Sequence, residues 1–144
     1  MKFKKVRIFY NRRSGTGTSF MRVQAAFAKY WGDVSEDIAW YFPKSKEESD
    51  KLVDMAVADG VDCIIAGGGD GTIASIGKKL IGTNVVLGVI PLGSGNGLAR
   101  HFNQSLNPIS AVRELANSIV MGMDVGYINN NPFLVSASIA WETD

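Results

Sequence analysis

The sequence predicts an α/β fold, a parallel sheet with helices on both faces, built from a chain of 144 residues. Three observations carry this expectation. Short apolar runs suited to buried strands alternate with segments whose apolar residues recur at helical spacing. Glycine-rich polar loops follow three of those runs. The composition, 46% hydrophobic against 20% charged, is enough to fill a core on both sides of a sheet.

The first strand lies in "KKVRIFY", where Val6, Ile8 and Tyr10 alternate, and after the loop "NRRSGTGTS" a helix follows through Phe20, Val23 and Phe27. "DIAWYF" reads as the second strand. "SKEE", Ser45 to Glu48, has the form of a capping box ahead of a helix through Leu52, Met55 and Ala56, closed by Gly60. "DCIIAG" is the third strand, followed by the turn "GGGDGT" and a helix from about Thr72 to Leu80. "NVVLGVI" is the fourth strand, and the loop "PLGSGNG" leads into short helices near "LARHF" and "SAVRELANS". The last stretch differs: two strand-like runs joined by "NNN" read as an antiparallel hairpin. The expected division is therefore an α/β domain over 1–120 and, over 121–144, the start of a β-rich second domain cut from a larger parent.

Other classes are excluded early. No apolar stretch approaches the roughly 20 residues of a membrane span. The basic N-terminus runs straight into polar "NRRSGTG", which reads as an uncleaved cytoplasmic start. Cys63 is the single cysteine, which leaves no disulfide framework and no zinc spacing and makes it a core residue. Trp31, Trp40 and Trp141 are expected in the core or at a domain interface. The lone histidine, His101, reads as an exposed helical residue. The net charge is only +1, with Lys2, Lys4, Lys5, Arg7, Arg12 and Arg13 crowding the N-terminus as a solvated edge. From Gly71 to Arg113 there is no Asp or Glu, whereas Lys78, Lys79, Arg100, His101 and Arg113 fall there, so an anion is favoured.

In an open parallel sheet, ligands bind beyond the carboxyl ends of the strands, where helix N-termini also point. The three glycine loops occupy such positions and together would form one wall, on which bare backbone amides and helix dipoles suit a phosphate. Each loop by itself reads equally as a tight turn. A Walker loop is excluded, because Gly71 and Gly77 enclose five residues and Lys78 is followed by Lys79. "GDGTIA" satisfies G-x-G-x-x-A, but the next acidic residue after Asp70 is Glu114, too far to hold a dinucleotide ribose. Asp70 stands alone among phosphate-facing amides. It would hold Mg²⁺ or accept a proton from an attacking hydroxyl, both phosphoryl-transfer roles, or else cap the helix that follows.

"GGDGT" at Gly68 to Thr72, "PLGSGNGLAR" at Pro91 to Arg100 and the "N-x-x-S-G" opening at Asn11 to Gly15 resemble the catalytic domain of the diacylglycerol kinase and sphingosine kinase family, bacterial soluble lipid kinases included. The likeness runs over essentially the whole chain. "GGDGT" is shared with NAD kinases and phosphofructokinase-like enzymes; "PLGSGNGLAR" is the more specific signal. The resemblance implies ATP and Mg²⁺ as cofactors and a lipid hydroxyl, of diacylglycerol or sphingoid type, as acceptor of the γ-phosphoryl group. It implies a cytoplasmic protein peripheral to the membrane, with transient contact to the membrane surface and no nucleic-acid partner. Carried over by position, Asn11, Ser14, Gly15, Gly68, Gly69, Gly71 and Thr72 would lie near the phosphates. Gly93, Ser94, Gly95 and Asn96 would line the nucleotide's other side. Asp70 would be catalytic and, with Asp124, metal-binding.

The departures are specific. Arg12 stands where the family usually has proline, which adds a cation near the phosphates. Ala74 and Ser75 replace an Asn or His followed by Glu, so a supporting carboxylate is missing. Gly97 replaces an Asp common in diacylglycerol kinases. A non-catalytic nucleotide-binding module and an NAD kinase are the alternative functions. Taken alone, the 144-residue chain is expected to bind nucleotide weakly, to phosphorylate no lipid and to leave hairpin residues such as Phe133, Val135 and Ile139 either exposed or buried by self-association.

Overall fold

The structure is a computed structural model that describes residues 2–12, 19–93, 95–101, 103–117, 124–128 and 131–135, with the backbone alone at 101 and in the last two stretches. Four parallel strands form the sheet: β1 (Val6–Tyr10), β2 (Ile38–Tyr41), β3 (Cys63–Gly68) and β4 (Val86–Pro91), in the order β2-β1-β3-β4. Its buried strands are apolar on both faces, as a sheet covered on both sides requires.

One face carries α1 (Phe20–Tyr30) and α5 (Pro108–Ala116). Ile8, Tyr10, Ile65 and Ile90 pack there against Val23, Phe27, Trp31, Val112 and Leu115. The Trp31 indole is 1% exposed and donates its Nε1–H to Val112 O at 2.9 Å, so the ring's one polar atom is satisfied while it ties the two helices. The opposite face carries α2 (Lys46–Ala58) and α3 (Asp70–Leu80), with Phe9, Ile64, Ala66 and Val89 against Val53, Ala56, Ile73, Ile76 and Leu80. Each such aliphatic side chain taken from water contributes about 1.5–3 kcal/mol.

The helix starts follow local chemistry. Ser45 Oγ accepts the Glu48 N–H at 3.1 Å, as the capping pattern predicts, and Gly60 leaves α2 with a φ of 85°. Asn107 Oδ1 caps α5 ahead of Pro108. A short helix α4 (Gly97–His101) precedes it. At the chain's end, β5 (Asp124–Ile128) and β6 (Asn131–Val135) pair antiparallel, as the hairpin reading predicts.

Of the basic N-terminal cluster, Lys5 and Arg7 form a paired edge at the amino end of the sheet. Lys5 meets Asp59 at 3.2 Å and Arg7 meets Asp37 at 2.9 Å. Cys63 is buried, and burial, with the nearby Asp62 charge, pushes its thiol well above the ordinary range. The unfolded chain's thiol ionises near its usual pKa of about 8.5 while the folded one keeps its proton. Stability is therefore expected to be intact below that pH and to fall as pH rises above it, and Cys63 should resist alkylation until denaturant is added. A Cys63→Ala control whose stability falls equally over the same alkaline range would remove the thiol as the cause.

Candidate active site

Ladder hydrogen bonds run past the strand ends: Asn11 N–H donates to Gly67 O at 2.8 Å and Leu92 N–H to Gly68 O at 3.0 Å. The segments leaving β1, β3 and β4 therefore start side by side at the carboxyl edge of the sheet. The chain passes from β3 into α3 with no intervening loop. Gly69 is the N-cap, extended and without a side chain, and Asp70 is the first helical residue. Gly68 must lack a Cβ, because one would fall 2.9 Å from Thr72 Cβ.

The third loop is locked against this turn. A Cβ on Gly93 would lie 2.6 Å from Gly69 Cα, so the close approach of the two backbones requires glycine at 93. Asn96, at a φ of 53°, closes the loop on itself: its Oδ1 accepts the Gly93 N–H at 3.1 Å and its Nδ2 donates to Gly93 O at 2.7 Å. Arg100 Nε donates to Gly95 O at 2.7 Å. From the first loop, Asn11 Nδ2 donates to Thr72 Oγ1 at 3.4 Å. Thus Asn11, Gly68, Gly69, Asp70, Gly71, Thr72, Gly93, Gly95 and Asn96 gather at one edge. Ser14, Gly15 and Ser94 lie outside the described residues, as does the side chain of Asp124.

Asp70 sits between the second and third loops. Its Oδ1 accepts the Gly97 N–H at 2.7 Å, and its Oδ2 has no hydrogen bond among the described residues. The helix-cap alternative does not hold: Gly69 is the cap, and the Asp70 carboxylate reaches across to α4 instead. A Cβ on Gly95 would lie 2.6 Å from Oδ2, so the loop's bareness also makes room for this carboxylate. Among the described residues no three His, Cys, Asp or Glu side chains cluster as a metal cage. One exposed carboxylate with an oxygen to spare nevertheless suits Mg²⁺, which keeps several waters and binds through one or two carboxylates plus substrate phosphates.

Two cations expected near the anion are engaged elsewhere. The Arg12 guanidinium lies over the rings of Phe42 and Phe20, 4.3 and 4.8 Å from their centroids, a cation–π contact worth about 0.5–1 kcal/mol where exposed. Lys79 turns to α2 and pairs with Asp54 at 2.9 Å.

A feature the sequence did not announce lies on the other side of the α3 N-terminus. A cleft of about 450 Å³ opens between Asn11, the segment Pro43 to Ser49 after β2, and Gly71, Thr72, Ser75 and Ile76, with Phe9 and Tyr10 in its lining. Burial pushes the Tyr10 phenol up from its ordinary value against the opposing Arg12 charge, so that wall is neutral. Lys44 brings a cation to it that makes no ion pair among the described residues. In the sequence Ser45 signals a helix cap, and glycine loops alone do not point to this segment.

Fold and site together define the class, an open parallel α/β domain whose glycine turns meet around one carboxylate at the carboxyl end of the sheet. The diacylglycerol kinase catalytic domain profile matches residues 5–128, and the chain belongs to that family. It is 32% identical over 131 residues to a diacylglycerol kinase of Mycobacterium tuberculosis, covering 88% of this chain and 41% of the relative. It is 32% identical over 84 residues to a "Probable lipid kinase YegS-like" of Xanthomonas oryzae pv. oryzae, covering 54% of this chain and 27% of that protein. The crystal structure of a diacylglycerol kinase from Bacillus anthracis superposes with a TM-score of 0.77 at 25% identity, over 92% of this chain and 48% of that one. The chain thus spans less than half the length of these relatives. Among the described residues no helix is long and apolar enough to cross a membrane.

Proposed function

We infer that this chain is the nucleotide-binding part of a lipid kinase that moves the γ-phosphoryl group of ATP to a lipid hydroxyl at the membrane surface. The observation that carries the reading is Asp70, an exposed carboxylate held by the Gly97 amide between two glycine turns. The ligand's nucleoside lies in the cleft beside Asn11 and Lys44. Its phosphates run over the amides of Gly69, Gly71 and Thr72, where the α3 dipole contributes roughly half a positive charge. The terminal phosphoryl then lies beside Asp70 and faces Gly95 and Asn96. Mg²⁺ at Asp70, with Asp124 as a second candidate ligand, would neutralise phosphate charge. The Asp70 Oδ2 is the group able to take the proton of an incoming hydroxyl, while its Oδ1 stays fixed by Gly97 N–H.

Ser75 offers no carboxylate one turn along α3, which favours a second reading, a nucleotide-binding module without turnover. Labelled ATP offered to the complete parent protein with acylglycerols, sphingoid bases and NAD separates these. Label in an acylglycerol or sphingoid lipid is the expected result. Label in NAD, or nucleotide binding with no transfer, would replace the lipid-kinase reading.

A further inference from the structure

The two edges of the sheet differ. On the β4 side, Gln104 is 4% exposed and donates its Nε2–H to Val89 O at 2.6 Å, and Pro91 brings no N–H to that edge. β2 has no such cover. In its parallel ladder with β1, where Val6 N–H donates to Asp37 O, Ala39 and Tyr41 turn their backbone groups toward β1 while Ile38 and Trp40 turn theirs away. Those outward groups find no partner among the described residues. The strand reads IAWY, without a charge or a proline to discourage a neighbour. Beside it an open groove of about 400 Å³ runs between Tyr41 and the α2 residues Leu52 and Met55, and Met55 is 66% exposed.

We propose that β2 pairs antiparallel with β2 of a second copy of this chain, continuing the sheet across a two-fold axis at Trp40. Only residues that turn outward can exchange hydrogen bonds, so Trp40 meets its own copy and Ile38 meets Phe42. Two residues further along, Glu36 falls opposite Lys44. Both are exposed, and neither makes an ion pair among the described residues, so each gains an opposite charge across the axis. Sliding the register by two residues either way sets Lys44 against Val34 or Ile38 and loses the match. The strand thus carries the charge complement of its own ends, which selects a second copy as its occupant. A two-fold axis normal to the sheet also sets α2 beside its own copy on the same face, where Leu52 and Met55 of each chain cover the groove of the other.

The test is sedimentation equilibrium of the 144-residue chain over a range of concentrations, with amide hydrogen exchange at the two ends of that range. Wild type is expected to form a dimer whose Ile38 and Trp40 amides slow in exchange as it assembles, while Ala39 and Tyr41, already in the ladder with β1, do not change. Glu36→Lys and Lys44→Glu each set like charges opposite one another twice per dimer and should weaken it about tenfold. The double variant Glu36→Lys with Lys44→Glu restores the match and should return to within about threefold of wild type. Met55→Glu, at an exposed helical position, should also weaken the dimer about tenfold without lowering the melting temperature. A monomer at every concentration overturns the proposal and leaves the edge to a different partner. A dimer that ignores the charge reversals, or that leaves Ile38 and Trp40 exchange unchanged, overturns it as well and moves the contact to another surface such as the hairpin.

Discussion

On the proposed lipid-kinase reading, Asp70→Asn is expected to lower lipid phosphorylation on the order of 10²-fold or more while leaving the fold intact. The substitution is close to isosteric and keeps an oxygen that accepts the Gly97 N–H, so the bridge from α3 to the third loop survives. What it removes is the negative charge needed to hold a cation or take a proton. As the first residue of α3, Asp70 also complements the helix dipole, worth about 0.3–1 kcal/mol, so the melting temperature should fall by a few degrees at most. Near-normal turnover with lower thermal stability would reduce Asp70 to a helix-end residue.

The second large effect is expected at Gly93. Alanine there places a Cβ 2.6 Å from Gly69 Cα, a separation that requires the second and third loops to move apart. Because both loops contact the phosphates in the proposed arrangement, nucleotide affinity should drop about tenfold or more, near 1.4 kcal/mol. The reverse substitution is an internal comparison. Gly69→Ala puts its Cβ 3.6 Å from Gly93 Cα, an ordinary contact, at an extended backbone with φ of −86°. It should therefore lose less affinity than Gly93→Ala. Equal losses, or an unaffected Gly93→Ala, would mean that the packing of the two loops does not shape the site.

Much of this was readable in the residues, for identifiable reasons. The strands β1, β3 and β4 are short apolar runs of the kind a buried sheet requires, and Ser45 with Glu48 announced α2. The alternation of strand and helix implied parallel pairing but not the order β2-β1-β3-β4, which depends on contacts far apart in sequence. The start of α3 fell at Asp70 rather than Thr72, because "GDG" reads as a turn while the first amides of a helix need no partner within it. Charges were the least legible. Lys79 finds Asp54, 25 residues away, and Arg12 finds the faces of Phe20 and Phe42. The cleft is built from the glycine-free segment after β2, so a search led by glycine loops passes over Lys44 and Ser49.

The central claim, that an adenine nucleotide lies along the carboxyl edge of the sheet around Asp70, is tested most directly by following backbone amide resonances while Mg²⁺ and ADP are titrated into the protein. The expected shifts concentrate at Asn11, Lys44 to Lys46, Gly68 to Thr72, Ser75, and Gly93 to Gly97, and Asp70→Asn weakens the Mg²⁺-dependent part of them. No saturable shift at these amides, or shifts confined to the opposite end of the sheet near Lys5, Asp37 and Asp62, would contradict it.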